Sequence, residues 1–182
     1  MKQPACIDRI LLTESAIEQR VCELGKQISD DYYGKEPVFI CVLKGAIVFF
    51  ADLIRCMELS PRLDFIHVSS YGNRTCSSGK VNIVQDIMTD IKGEDVLIVD
   101  DIMDSGITLH RLKDNILSRN PSSLKTCVLL DKPQRRIEDI KTDYTGFEIP
   151  DEFAVGYGMD YKGQYRNLRY IAAIKRSLEY GR

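Results

Sequence analysis

Two short, uninterrupted apolar runs constrain the fold of this chain more than any other feature. Residues 38–42 (VFICV) and 96–99 (VLIV) contain no polar residue. Such continuous runs are typical of strands buried on both faces of a sheet. Each run ends in a turn that leads into a helical segment, so strand, turn and helix follow one another as in an α/β fold. The sequence therefore predicts the α/β class.

Further segments fit the same arrangement. Apolar residues recur at helical spacing over residues 17–28 after Thr13, which is a good N-cap residue, so a first amphipathic helix is expected there. No repeat, low-complexity stretch or linker interrupts the chain, and its length suits one compact domain over residues 1–182. The patterns predict helices at 46–57 and 108–118 and further strands at 63–68, 81–84, 124–130, 153–155 and 170–174.

Composition argues against several classes of partner. The net charge is −2, so no overall basic field favours nucleic acid or an anionic membrane. The longest apolar stretch, residues 45–51, is too short to span a bilayer, and no signal-peptide pattern opens the chain. The six cysteines form no C-x-x-C pair. We therefore expect a cytoplasmic protein with free thiols, bound to neither membrane nor nucleic acid.

The segment that carries chemistry is residues 96–109 (VLIVDDIMDSGITL). Its apolar strand delivers two adjacent carboxylates, Asp100 and Asp101, to the carboxyl end of a sheet, where α/β folds bind ligands. Asp104 adds a third carboxylate, and residues 105–108 are small or hydroxylated at the start of a helix. Backbone N–H groups at such a helix start can converge on a phosphate. Acids followed by a phosphate-binding helix start suit a sugar phosphate whose hydroxyls face the acids.

A simpler interpretation is an exposed acidic turn whose Ser105 or Thr108 caps the helix. For the acids or the helix start alone, the two interpretations are evenly matched. Their combination at the end of a buried strand favours a binding site. The chain has neither a G-x-x-x-x-G-K-[ST] motif nor a G-x-G-x-x-G motif, which argues against an ATPase or a dinucleotide enzyme.

Residues 96–109 resemble the motif that binds phosphoribosyl pyrophosphate (PRPP) in type I phosphoribosyltransferases. Other segments narrow the resemblance to the hypoxanthine (hypoxanthine-guanine) phosphoribosyltransferases, and the likeness runs from about residue 10 to about residue 174. These segments are LKGA at 43–46, FFADL at 49–53, SSYG at 69–72, DKP at 131–133, FEIP at 147–150, FAVGYGMDY at 153–161 and YRNL at 165–168.

The resemblance implies a mostly parallel, twisted sheet flanked by helices. It also implies a small hood made from N- and C-terminal segments, and a flexible lid at about residues 70–80 that includes Ser70 and Tyr71. The peptide bond before Lys44 is expected to be cis. Assembly into a homodimer or a homotetramer is compatible with the sequence.

The resemblance also assigns roles to individual residues. Asp104 would be the catalytic acid or base near N7 of the purine, and Mg²⁺ would be held by Asp100, Asp101 and Asp160, since it prefers oxygen ligands. PRPP would be bound by Lys44, Gly45, Asp100, Asp101, Asp104, Ser105, Gly106, Ile107, Thr108 and Arg166, and the purine by Lys132, Phe153, Ala154 and Asp160.

Two positions depart from the pattern of the family. Ala154 stands where many relatives carry valine, and Ile107 stands where some carry lysine. The first change should matter little because the main chain makes the contact with the base. The second removes one possible phosphate contact and leaves the backbone cradle intact.

The implied reaction is purine salvage: transfer of the 5-phosphoribosyl group from PRPP to hypoxanthine or guanine, which gives IMP or GMP and pyrophosphate. A phosphoribosyltransferase that prefers xanthine or guanine is one alternative. A second is a PRPP-sensing regulator that binds nucleic acid. The second would need a basic face, for which the candidates are Lys132, Arg135 and Arg136 or Arg166, Arg169, Lys175 and Arg176.

Overall fold

The computed structural model describes residues 4–69 and 82–175. A 3₁₀ helix at Pro133–Arg135 is the shortest of its helical segments. The helices are α1 (Glu14–Asp31), α2 (Ile47–Arg55) and α3 (Ile107–Leu117); the strands are β1 (Ile7–Leu12), β2 (Val38–Leu43), β3 (Arg62–Ser69), β4 (Asn82–Gln85), β5 (Asp95–Met103), β6 (Ser123–Asp131), β7 (Tyr144–Glu148), β8 (Ala154–Val155) and β9 (Ile171–Ile174).

The main sheet has six strands in the order β4-β3-β2-β5-β6-β7. Only the β3–β4 pair is antiparallel; the other four pairs are parallel. A second, three-stranded sheet, β1-β9-β8, joins an N-terminal strand to two C-terminal ones. The predicted fold class, a mostly parallel sheet with a small hood, is confirmed.

Both faces of the main sheet are covered, which explains the continuous apolar runs. In β2, Phe39 and Cys41 pack in the core that includes α1 and α2, whereas Val38 and Ile40 pack in the core that includes α3. A strand with helices on both sides needs apolar residues at every position, because no side chain faces water. Within the described ranges, no helix is both long and apolar enough to cross a membrane.

Several local predictions are confirmed, and two strands were missed. The hydroxyl of Thr13 accepts a hydrogen bond from Ala16 N at 3.3 Å, so Thr13 caps α1 as expected. Strands β1 and β7 lie in segments where the sequence alternates poorly. β1 carries Asp8 and Arg9 in its middle and exists because it pairs with β9. Tertiary pairing, which has no local signal, decided both strands.

The prediction that all cysteines are free thiols is wrong for one pair. Cys22 of α1 and Cys56, at the end of α2, form a disulfide with their Cα atoms 5.0 Å apart. The two helices approach closely there, since a Cβ on Gly25 would lie 2.9 Å from the Cys56 carbonyl oxygen. A separation of 34 residues along the chain carries no signal for this pairing. Cys76 lies outside the described residues.

The remaining described cysteines, which include Cys41 and Cys127, are free. Burial raises the pKa of the Cys41 thiol to about 12, and it raises the pKa of the Cys127 thiol further. Because the thiolate is the reactive form, these two cysteines behave as small hydrophobic residues of the core.

Two leucines of α3 test how much the α3 side of the core contributes to stability. Leu112 is 1% exposed and Leu117 is 50% exposed on the same helix. Leu112→Ala should reduce the free energy of unfolding by about 2–5 kcal/mol, because it removes buried methyl groups and leaves a cavity. Leu117→Ala should change it by less than about 1 kcal/mol. Equal losses in urea titrations of the two variants would contradict this packing.

Candidate active site

One cavity of about 690 Å³ lies at the carboxyl ends of the parallel strands, the usual ligand site of open α/β sheets. Of the predicted site residues, Ile107 does not line it, and Ser70 and Tyr71 lie outside the described residues. All the others line it: Lys44, Gly45, Asp100, Asp101, Asp104, Ser105, Gly106, Thr108, Lys132, Phe153, Ala154, Asp160 and Arg166.

The start of α3 is built from small residues. Gly106 is the N-cap residue and has a φ of 84°, a left-handed conformation that favours glycine. A Cβ there would lie 2.8 Å from the side chain of Ile140. Ser105 Oγ accepts a weak hydrogen bond from Ile107 N at 3.4 Å. The main chain of Ile107 therefore belongs to this turn although its side chain does not reach the cavity.

The acidic pair at the end of β5 is desolvated. Asp100 is buried, and its carboxylate accepts a hydrogen bond from Asp101 N at 2.9 Å. Burial and the neighbouring Asp101 charge raise the pKa of Asp100 well above its usual range. Burial also raises the pKa of Asp101, although hydrogen bonds and the charge of Arg166 act in the opposite direction. The ionised pair is thus costly to hold.

A hard cation fits this pair. Burial raises the pKa of both carboxyls, so a positive charge between or beside them would stabilise the ionised pair. Mg²⁺ takes oxygen ligands from carboxylates and phosphates. Among the described residues, no three His, Cys, Asp or Glu side chains cluster as a complete metal site. Further ligands would have to come from substrate or water, which is common for Mg²⁺.

The loop after β2 passes very close to the acids. The Leu43–Lys44 peptide is cis, as the resemblance implied. A Cβ on Gly45 would lie 1.8 Å from Asp101 Oδ2, so only glycine fits there without displacing the carboxylate. Gly158, with a φ of 101°, lies equally close to this loop, since a Cβ on it would be 2.1 Å from the Gly45 carbonyl oxygen. Lys44 itself is exposed.

The opposite side of the cavity holds a lysine and an aromatic ring. Lys132 is 4% exposed, and its backbone N–H donates to the Met103 carbonyl at 2.9 Å, which ties it to the end of β5. Phe153 packs edge-on against Tyr161 with ring centroids 5.8 Å apart. Ala154 is buried in β8, where it pairs with Ala173. A planar, polar ring would fit between such groups.

Asp160 and Arg166 form a pair at the rim. The guanidinium of Arg166 lies 2.5 Å from Asp160 Oδ1 and also donates to the Gly158 carbonyl at 2.6 Å. Asp160 Oδ2 accepts a hydrogen bond from Gly163 N at 2.7 Å. Both side chains are thus held in place by the turn that connects β8 to β9.

Sequence reasoning missed one charged residue of the cavity. Arg135, considered only as part of a basic cluster, lines the cavity and donates from Nη1 to Asp104 Oδ2 at 2.9 Å. The available signal was its place three residues after Lys132, on the 3₁₀ turn that follows β6. That spacing does not reveal which carboxylate the arginine reaches.

Comparisons with known proteins agree with this site. The model of the phosphoribosyl transferase domain matches residues 9–162. The chain belongs to the phosphoribosyltransferase family. It is 48% identical to the hypoxanthine-guanine phosphoribosyltransferase of Bacillus subtilis over 93% of this chain and 94% of that one. The corresponding protein of Mycobacterium bovis is 46% identical over 94% of this chain and 88% of its own length.

Solved structures of the phosphoribosyltransferase family have the same fold. A hypoxanthine-guanine phosphoribosyltransferase from Bacillus anthracis matches with a TM-score of 0.88 and 50% identity, over 93% of this chain and 99% of that chain. The Trypanosoma cruzi hypoxanthine phosphoribosyltransferase matches with a TM-score of 0.91 and 40% identity, over 98% and 97%. The predicted family and the predicted enzyme class, a transferase, are confirmed.

The buried carboxyl of Asp100 is expected to lower the stability of the protein when no ligand is bound. Asp100→Asn removes a carboxyl whose ionisation destabilises the folded protein near pH 7. The melting temperature in metal-free buffer at that pH should therefore rise by a few degrees, about 2–4 °C for each kcal/mol gained. A raised pKa destabilises the folded state only above the unfolded pKa of about 3.9, so the gain should disappear near pH 4. Thermal melts at both pH values check this. A destabilised variant at neutral pH would contradict it.

Proposed function

We propose that this phosphoribosyltransferase moves the 5-phosphoribosyl group from PRPP to hypoxanthine and to guanine in purine salvage. The observation that carries the proposal is the meeting, in one cavity, of the acids at the end of β5 with the buried Lys132. The acids suit a ribose phosphate, and the lysine suits an oxygen on the base. The names of the similar proteins from Bacillus subtilis and Mycobacterium bovis support the same substrates.

PRPP would lie along β5 and the start of α3. Asp100 and Asp101 would accept hydrogen bonds from the ribose 2′- and 3′-hydroxyls, because ionised carboxylates only accept. The 5′-phosphate would be held by Ser105, Gly106, Thr108 and the main chain of Ile107. At the other end, Lys44, the backbone of Gly45 and Arg166 would bind the pyrophosphate. Ser70 and Tyr71 would cover the reacting centre as part of a lid.

Mg²⁺ would be held near Asp100 and Asp101, and a second ion near Asp160. The bound metal would neutralise charge that develops on the departing pyrophosphate. The raised pKa of Asp100 supports a cation beside the pair, since a desolvated carboxylate pair gains most from a positive partner. Asp160 would have to exchange its pairing with Arg166 in order to bind metal, which would release Arg166 toward pyrophosphate.

The purine would lie between Phe153 and the end of β6. Lys132 would donate to the oxygen at C6, the main chain of Ala154 and the region of Asp160 would contact the C2 edge, and Phe153 would stack on the ring. Phe153 lines the cavity and packs edge-to-face with Tyr161. Lys132 is only 4% exposed, so water is poorly placed to replace a hydrogen bond that a mismatched base fails to accept from it.

The reaction would form the bond from N9 of the base to C1′ as the bond from C1′ to pyrophosphate breaks. Asp104 would accept the N7 proton of the base, so that no positive charge stays on the purine product. Arg166 would stabilise the negative charge of the leaving group.

We further propose a cytoplasmic homodimer or homotetramer. The exposed Met88 and Ile137 offer apolar surface for contacts between subunits, and Cys41 and Cys127 are free thiols alongside the Cys22–Cys56 disulfide. Size-exclusion chromatography with light scattering tests the assembly.

Base selectivity tests the proposed function directly. A lysine ammonium has three donors and no acceptor, so it matches the C6 oxygen of hypoxanthine or guanine and clashes with the C6 amino group of adenine. Loss of a hydrogen bond to a charged group costs about 1.5–3 kcal/mol, roughly 10- to 150-fold in catalytic efficiency. Initial rates with PRPP and Mg²⁺ should therefore be good with hypoxanthine and guanine and nearly absent with adenine.

Two lysine variants locate this selectivity. Lys132→Ala should lower kcat/KM for hypoxanthine by about 10-fold or more and leave the PRPP KM within about twofold. Lys26→Ala, at an exposed position of α1, serves as the matched control and should behave as wild type. Comparable efficiency with adenine in the wild-type protein would overturn the assignment to 6-oxopurines.

A chelator tests the metal proposal. Removal of divalent ions with EDTA should abolish turnover of PRPP, and added Mg²⁺ should restore it, because the pyrophosphate leaving group carries charge that the protein neutralises only in part. The same titration followed by the melting temperature should show that PRPP stabilises the protein only with Mg²⁺ present. Full turnover in metal-free buffer would refute this proposal.

A further inference from the structure

Two consecutive arginines bind Asp104 at both its backbone and its carboxylate. Arg136 Nη1 donates to the Asp104 carbonyl at 3.1 Å, and its Nη2 pairs with Asp131 at the end of β6. The side chains of Arg136 and Asp131 are 17% and 14% exposed, so this pair is largely desolvated. The carbonyl of the next residue, Ser105, accepts a hydrogen bond from Ile137 N at 2.9 Å. The main chain at Asp104 is thus held by the segment that follows Lys132.

Arg135 binds the carboxylate of the same aspartate. Its Nη1 lies 2.9 Å from Asp104 Oδ2, and its Nε lies 3.3 Å from Asp151 Oδ1. The planar guanidinium therefore bridges the loop between β5 and α3 to the loop that leads into β8. A fixed fork of donors holds a carboxylate in one orientation better than a single ammonium does.

The second carboxylate oxygen of Asp104, Oδ1, is a buried acceptor without a donor among the described residues, 4–69 and 82–175. A buried acceptor without a donor costs about 1–3 kcal/mol, and native proteins keep few of them. Asp104 lines the cavity, so a ligand bound there is a source of the missing donor once the carboxylate turns toward it.

We propose that Arg135 is a positioning residue for Asp104, an inference that rests on the proposed function. Arg135 holds the Asp104 carboxylate at Oδ2 and so fixes its orientation at the cavity, where the N7–H of the purine would lie. As the N9–C1′ bond forms and the bond to pyrophosphate breaks, the N7 proton passes to the Asp104 carboxylate, and the electron pair of the N7–H bond stays on the base. Arg135 touches neither the base nor PRPP in this arrangement.

The same turn also carries the recognition of the base. Arg135 N donates to the Lys132 carbonyl at 3.1 Å within the 3₁₀ turn. Lys132, which would donate to the C6 oxygen, and Arg135, which orients the acceptor for N7–H, therefore move as one unit. Both atoms that identify a 6-oxopurine, O6 and N7, are read by groups set on this turn.

If Arg135 had only a structural role, its removal would change the stability of the protein rather than its turnover. The Arg135 side chain is 50% exposed and that of Asp104 is 39% exposed, and such exposed pairs stabilise proteins by about 1 kcal/mol or less. Removal of Arg135 should thus have little effect on folding. An effect on turnover that passes through Asp104 separates positioning from structure, because coupled residues give non-additive effects.

The experiment is a double-mutant cycle with PRPP, Mg²⁺ and hypoxanthine. Arg135→Ala should lower kcat by about 10- to 100-fold, since misplacement of a catalytic group by about 1 Å can cost 10²-fold, and should leave the PRPP KM within about twofold. Asp104→Asn should lower kcat by about 10²- to 10⁴-fold. Arg135→Ala added to Asp104→Asn should reduce kcat by less than about threefold further.

Two more variants complete the test. Arg135→Lys keeps one donor for Asp104 and should recover several-fold of the kcat that Arg135→Ala loses. Arg62→Ala removes an arginine of similar exposure, 46%, that pairs with Glu94 away from the cavity, and it should match wild type in kcat. Melting temperatures of all variants should lie within a few degrees of wild type, which shows that the proteins are folded.

Three outcomes would overturn the proposal. The first is a wild-type kcat in Arg135→Ala. The second is a double variant whose kcat falls by the product of the two single reductions. The third is a change in the KM for PRPP alone, which would make Arg135 a phosphate ligand. Failure of the proposed function is distinguishable, because wild-type protein would then be inactive with every 6-oxopurine. In that case both proposals fail together.

Discussion

The desolvated acidic pair at the end of β5 is the constraint on which the rest of the site depends. Asp100 and Asp101 are held where burial raises the pKa of both, so ionisation of the pair is costly in the folded protein. The neighbouring loops are shaped around this pair: Gly45 has no Cβ because Asp101 occupies that space, and Gly158 has none because of the Gly45 carbonyl. A cationic ligand or a metal–phosphate complex would relieve the cost, which links stability to binding.

The other half of the site is organised by a single connection. The segment after β6 carries Lys132, Arg135 and Arg136, and its hydrogen bonds reach Met103, Asp104 and Ser105 at the end of β5. The segment that carries Lys132 and the acidic loop are therefore joined by hydrogen bonds at several points. The hood approaches from the other side, through Phe153 and the turn that holds Asp160 and Arg166.

Much of the fold was predictable because burial on two faces leaves a clear pattern in the residues. The runs in β2 and β5 and the N-cap at Thr13 carry local signals, and each appears where it was expected. Strands β1 and β7 exist through pairing with distant strands, which no local pattern encodes. The Cys22–Cys56 disulfide was missed for the same reason, since it depends on how closely α1 and α2 approach at Gly25.

The sequence by itself determined the α/β class, the acid-rich strand end and the small residues at the start of α3, because strand burial and helix capping act over a few neighbouring residues. Every predicted site residue that the structure describes lines the cavity except Ile107, but the cavity has further lining residues that were not predicted, Arg135 among them. Only the tertiary structure decided which charges meet. The pairing of Arg135 with Asp104, of Arg166 with Asp160 and of Arg136 with Asp131 depends on distances between separate loops. Electrostatic interactions fall off with distance in space and are indifferent to separation along the chain.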